Sequence, residues 1–280
     1  MDKNFSYNKL LLMFFATFLF GEEAGYRFIN EITKTEIMDM EMTTDYDAGG
    51  FSYMSNFSGR ILTEYLGIKD GTHRLKQTWS NIISTNRRND ELVIDHKSQK
   101  LNGTQYTIFA DSSGEFIREG LDDNSRQMEE SNQAFMYFSS QGNILHPFGD
   151  DSLRHVGDTW AIVTKEHLED FPGFESADAD LDDKTVFTFD KIKKKKGKDV
   201  AFISGRQKLI MKMTSQTWDE SWKMDIVGDL KVSIEYNMTD NKPFKIRLRG
   251  NIKGNGVDLQ DDSSISFNQN MDMRCRIKTK

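Results

Sequence analysis

A single cysteine, Cys275, stands in a chain of 280 residues, so no intramolecular disulfide forms and no thiolate metal site can be assembled. The fold must rest on its core, which a chain this long can build without staples. Clustered positive charge is scarce as well. The formal net charge is −7, and the one dense basic run, Lys193 to Lys196, stops at Gly197 between two alternating apolar stretches, as a solvated hairpin tip does. Nucleic acid, which needs clustered Lys and Arg to displace counterions, is therefore not an expected partner. Catalytic signatures are missing too: there is no G-x-S-x-G elbow, no P-loop and no HExxH. Carboxylate pairs leave no local signature, so a carboxylate-based hydrolase stays as a third reading behind two non-enzymatic ones.

No apolar run is long enough to span a bilayer. The longest, Leu10 to Phe20, would make roughly 16 Å of helix, about half of a hydrocarbon core. Preceded by Lys3 and Lys9 and followed by Gly21-Glu22-Glu23, it reads as a cleavable signal peptide, residues 1–21, cut after Gly21. No cysteine stands at the end of the apolar run, so the lipid anchor of bacterial lipoproteins is not expected. The expectation is soluble export to a bacterial periplasm, or secretion, with no transmembrane span left after cleavage. The mature charge becomes about −8 once Asp2, Lys3 and Lys9 leave.

Past the signal the dominant period is two. Met271, Met273, Cys275 and Ile277 alternate with Asp272, Arg274, Arg276 and Lys278, and Met38, Met40 and Met42 alternate with Asp39, Glu41 and Thr43. Val232, Ile234, Tyr236 and Met238 repeat the pattern. Antiparallel sheets with one dry face are written this way. Turn signals recur at Asp47 to Gly50, Lys69-Asp70-Gly71, Asn102-Gly103, Lys196-Gly197, Asp240 to Pro243 and Gly254-Asn255-Gly256. One segment differs: Ser125, Met128, Asn132, Phe135 and Phe138 recur at three-to-four spacing before Gly142, which predicts a helix over about 124–140. Residues 166–183, acidic at Glu175, Asp178, Asp180, Asp182 and Asp183, read as an exposed connection. A single β-rich domain, 22–280, is expected, with a first half 22–165 and a second half 184–280. The expected fold is a mainly β, antiparallel curved sheet or open half-barrel of hairpin-connected strands, with the mid-chain helix packed on it.

Metal and cofactor chemistry finds little support in the pattern. Asp178, Asp180 and Asp182 suggest calcium, but an EF-hand loop wants Gly at its sixth position and Glu at its twelfth, where this chain has Asp183 and Phe189. His146, His155 and His167 fall at intervals of nine and twelve across loops, which match no known zinc-site geometry. No cofactor is expected. Methionine is the feature nearest to a function. There are fourteen, many on apolar strand faces, and flexible, polarizable Met lines surfaces that accept irregular apolar partners. The candidate ligand-binding residues are Met38, Met40, Met42, Met211, Met213, Phe135, Met271 and Met273.

His146-Pro147-Phe148 followed by Val156-Gly157-Asp158-Thr159-Trp160 resembles a signature of a family of uncharacterised exported bacterial β-rich proteins. In it a proline-containing strand precedes a V-G-D-x-W turn and strand. The resemblance implies a β-rich fold and carries over no catalytic residue. A fainter architectural likeness is to periplasmic lipid and lipoprotein carriers, whose half-barrel cradles acyl chains. The leading expectation is a non-enzymatic binding protein holding a lipid or other hydrophobic small molecule on a Met- and Phe-rich face. The rival is a structural or envelope protein-interaction module with a packed core, meeting an envelope protein through 166–183.

Overall fold

Where apolar and polar residues alternate, the chain runs as long strands. The computed structural model describes residues 25–28, 34–49, 51–88, 91–94, 96–110, 152–168, 177–216 and 221–280. Two short strands, β1 (Tyr26–Arg27) and β7 (Leu153–Arg154), pair with each other. The rest form one 11-stranded sheet. Its members are β2 (Glu36–Ala48), β3 (Phe51–Lys69), β4 (Thr72–Arg88), β5 (Glu91–Ile94), β6 (Gln105–Ala110), β8 (Thr159–Leu168), β9 (Ala177–Lys195), β10 (Lys198–Gln216), β11 (Ser221–Asn237), β12 (Lys242–Asp258) and β13 (Ser264–Thr279). The order is β5-β4-β3-β2-β13-β12-β11-β10-β9-β8, with β6 also on β4, and every pairing is antiparallel.

Most neighbours are sequential hairpins whose tips carry the expected residues. Asp70-Gly71 and Lys196-Gly197 all have positive φ, as a two-residue turn matching the strand twist requires. One long-range pairing, β13 with β2, welds the two halves of the chain into one sheet.

A half-barrel with a helix packed on it is the expectation that the structure corrects. Among the described residues the sheet is open: β8 at one edge does not pair with β5 or β6 at the other. Closing a sheet needs edge strands that hydrogen-bond along their length. Here β5 has 4 residues and β8 has 10, against 19 in β9. Among the described residues the sole helical segment is one turn, α1 (His96–Gln99). The helix expected over 124–140, with Phe135, and the signal segment 1–21 lie outside the described residues. Two smaller expectations also change. The acidic stretch is not one long connection: β8 runs to Leu168 and β9 begins at Ala177. Nor is Gly254-Asn255-Gly256 a turn, because β12 passes straight through it.

One face of the sheet is dry. A single register row crosses it from Phe187 on β9 through Gly205, Val232, Leu248, Met273 and Met42 to Phe57 on β3. The next row holds Phe189, Ile203, Ile234, Ile246, Cys275 and Met40, and all of these are buried. Phe28, just past β1, stands edge-on to Phe189 and Tyr236 at 5.1 and 5.0 Å between ring centroids, so the β1–β7 ribbon caps this core. Trp160 stacks on Phe187 at 5.5 Å, and Gly157 takes the positive φ that turns the chain into β8.

Several dry-face glycines are steric necessities. A Cβ on Gly250 would lie 2.1 Å from the Asp229 carbonyl oxygen and 2.7 Å from the Leu230 Cα, so β11 and β12 approach too closely for any side chain there. A Cβ on Gly254 would meet the Phe267 ring at 2.1 Å. The opposite face is laced with ion pairs across strands. Asp39 accepts from Arg60 Nε at 2.6 Å, Arg206 pairs with Asp229, and Asp272 joins Arg247 to Arg274.

Candidate functional site

Strand periodicity places all seven described candidate methionines and their neighbours on the dry face, but burial divides them. Met40, Met213, Met271 and Met273 are 1–3% exposed, and Met42 is 9% exposed. These are core side chains. Met42 opposes Met273, and Met40 opposes Cys275, at the middle of the β2–β13 pairing. Met38 and Met211 are half-buried at opposite ends of the face. Met38 lies against Ile277 and Ile61 in register, while Met211 lies between Leu181 and Ile226.

Toward the Met211 end the dry face mixes half-buried side chains with closed ones: Ala177, Ala179, Met213 and Ser215 are 0–1% exposed. Leu181, Met211, Met224, Trp222 and Phe267 are half-buried there, on neighbouring strands. Tyr46, Tyr53 and Phe267 continue the apolar surface as a stacked trio, with centroids 5.0 Å apart for Tyr46–Tyr53 and 5.5 Å for Tyr46–Phe267. Burial raises the phenol pKa values of Tyr46 and Tyr53. Of this strip, the methionine pattern picks out Met211 alone. The aromatics were open to the same alternation argument, since Tyr46 continues the face of Met38, Met40 and Met42.

Directly inward from the strip the dry face turns polar. Asp183, Thr185 and Gln207 are 5, 1 and 2% exposed. Thr185 and Gln207 face each other across β9 and β10, and Asp183 lies two residues from Thr185 on the same side. Gln207 Nε2 donates to Asp183 Oδ2 at 2.7 Å. Asp183 Oδ1, Thr185 Oγ1 and Gln207 Oε1 have no partner. Burial pushes the Asp183 carboxyl above the usual range, against the Gln207 hydrogen bond.

Other conceivable sites are satisfied internally. His167 Nδ1 lies 2.7 Å from Asp180, and Lys165 pairs with Asp182 at 2.9 Å, so ion pairs occupy the acidic face of β9. The backbone N–H of His155 donates to Asp158 Oδ2 at 2.6 Å, away from His167. Among the described residues no three His, Cys, Asp or Glu side chains gather as metal ligands. A cleft of about 230 Å³ at the other end of the sheet presents Lys198, Lys242 and Lys278. Each already has a carboxylate: Asp240 at 2.8 Å, Glu36, and Asp39 at 3.4 Å. Cys275 is buried, and desolvation pushes its thiol up to about 12, so it offers no nucleophile.

No family model matches the chain, and no curated protein matches it. Among solved structures, the crystal structure of a DUF1329 family protein from Desulfovibrio piger aligns at 9% identity over 85% of this chain and 84% of that one, with a TM-score of 0.15. The expected kinship with exported bacterial β-rich proteins is reduced to this distant likeness, which carries no argument about function. What stands is an open β-sheet with some exposed and half-buried apolar and aromatic residues. Among the described residues no helix is long and apolar enough to cross a membrane.

Proposed function

We propose that the chain is an exported, non-enzymatic binding protein that takes an apolar or amphiphilic ligand on the half-buried strip beside Met211 on its dry face. The observation that carries this reading is the half-buried strip of Leu181, Met211, Met224, Phe267, Tyr46 and Tyr53, continuous with the buried core and holding the stacked Tyr46, Tyr53 and Phe267 rings. Aromatic and methionine side chains there adapt to a flexible chain by rotamer changes, and an acyl chain covering them removes apolar surface from water at about 25 cal/mol per Å². Export is supported by the apolar run Leu10 to Phe20, preceded by Lys3 and Lys9 and stopping at Gly21.

The test is uptake of diphenylhexatriene by the full chain, read as fluorescence gain. Wild type gains fluorescence at a saturable site, and Met211→Glu loses it while keeping its near-ultraviolet circular dichroism. Equal uptake by the two proteins would refute the assignment of this strip. Charge at Met40 or Met273 would be a poor probe, because both lie in the closed core and the substitution would act on folding.

That same closure favours a second reading, a structural or protein-interaction module with a packed interior. No saturable uptake by wild type, together with capture of a defined envelope protein by crosslinking, would select it.

A further inference from the structure

We propose that Asp183, Thr185 and Gln207 form a buried socket for a primary ammonium group, which makes the ligand of the adjoining apolar strip a long-chain primary amine. The inference rests on the binding reading above and names its ligand class. Each of the three side chains is more than nine-tenths buried, and each keeps an oxygen without a partner. Buried polar groups left unpaired cost about 1–3 kcal/mol each, and the Thr185 hydroxyl can donate to only one of the other two oxygens, so the set still lacks donors among the described residues.

The chemistry selects the donor. The single bond within the trio uses one N–H of Gln207 Nε2 and pairs Asp183 Oδ2. The atoms left without a partner on Asp183 and Gln207 are both oxygens, one of them on a carboxylate able to carry negative charge. An alkylammonium has three N–H donors, no acceptor and one positive charge. A fatty-acid carboxylate would set like charge and more acceptors against Asp183, and an alcohol would satisfy one oxygen and leave the charge unmatched. Position fits the tail as well. Asp183 lies opposite Leu209 in register, and the next dry-face pair outward is the half-buried Leu181 with Met211. A head group in the socket therefore starts its hydrocarbon chain on the apolar strip.

The experiment displaces diphenylhexatriene from the full chain with dodecylamine, dodecanol or dodecanoate, each below its micellar concentration. Dodecylamine is expected to displace at about tenfold lower concentration than either competitor, the gain typical of charge-assisted hydrogen bonds. In Asp183→Asn that preference falls to about twofold while dodecanol is unaffected. Thr185→Val, which keeps side-chain shape, reduces the preference in part and guards against misfolding of the first variant. Equal displacement by all three head groups would overturn the ammonium socket while leaving the apolar-site reading intact, the trio then being filled by water. Absence of any diphenylhexatriene uptake by wild type would overturn the apolar site and the socket with it.

Discussion

Asp272 holds together two guanidinium groups that would otherwise repel each other. Arg247 on β12 and Arg274 on β13 are directly opposed in register, an arrangement that destabilises a sheet when both residues carry the same charge. Asp272 accepts from Arg247 Nε at 2.9 Å and from Arg274 at 3.0 Å. The Arg247 hydrogen bond is the largest influence that lowers the Asp272 carboxyl to about 2 from its ordinary 3.8. At about 1.36 kcal/mol per pH unit that depression has a ceiling of roughly 2 kcal/mol. Asp272 is about a third exposed and Arg274 half exposed, so solvent screening leaves about 1 kcal/mol. An acid whose pKa is depressed by folding stabilises above its unfolded value, and the contribution disappears as pH falls through the folded value. Asp272→Asn should therefore lower stability by about 1 kcal/mol at pH 7, with the difference from wild type closing between about pH 4 and pH 2. Urea unfolding of both proteins across that range reads it directly, as a shift in midpoint at constant slope. Raised salt should narrow the gap at pH 7. A deficit of the same size at pH 2 would mean that the asparagine acts through packing, and the electrostatic account would fall.

Further substitutions and a thiol-labelling experiment test other parts of the fold. Cys275, with its thiol raised to about 12 by burial, should resist a thiol-specific disulfide reagent at pH 8 until denaturant is added, and rapid labelling of the folded protein would place the β13 core face in solvent. Gly250→Ala should cost about 3 kcal/mol in thermal or urea unfolding because backbone faces the new methyl group, whereas Gly254→Ala should cost about 1 kcal/mol because the half-buried Phe267 ring can swing away. Adding Phe267→Ala should rescue Gly254→Ala and not Gly250→Ala. Burial raises the Asp183 pKa, so the ligand-free fold is penalised above the unfolded value. Asp183→Asn should then raise the melting temperature at pH 7, with the gain fading as pH falls below about 4. A stabilisation that persists at pH 3 would contradict that cause.

Alternation was the legible part of the fold because a half-buried antiparallel strand leaves the same mark at every residue. It was misread in two places, for different reasons. In residues 177–182 the pattern is intact, Ala177, Ala179 and Leu181 against Asp178, Asp180 and Asp182, yet the acidic composition suggested a loop. Charge on one strand face is what a solvated sheet surface requires, so density of Asp alone does not decide between strand and connection. At Gly254-Asn255-Gly256 the ambiguity belongs to glycine itself. It serves a turn through positive φ and a strand through the absence of Cβ, and here it is the second: neither glycine has positive φ, and both lie under or against a neighbouring strand.

The candidate site was less legible, since which dry-face residues are reachable depends on pairings between distant segments. Met38, Met40 and Met42 look alike along β2, but the β13–β2 register sets Met40 beside Cys275 in the closed middle and leaves Met38 at the margin. The strip at the other end takes Leu181, Met211 and Phe267 from strands that local pattern could not align. Asp183 carried a readable signal all the same. It follows Asp182 and so breaks the alternation of acids, which forces one of the two carboxylates onto the apolar face. A strand that spends a buried position on a carboxylate, and sets Thr185 and Gln207 beside it with oxygens unpaired, has a feature that packing alone would remove, because an apolar residue there would be easier to bury. The polar trio, more than the methionines, is therefore where this sheet departs from what its own stability asks for.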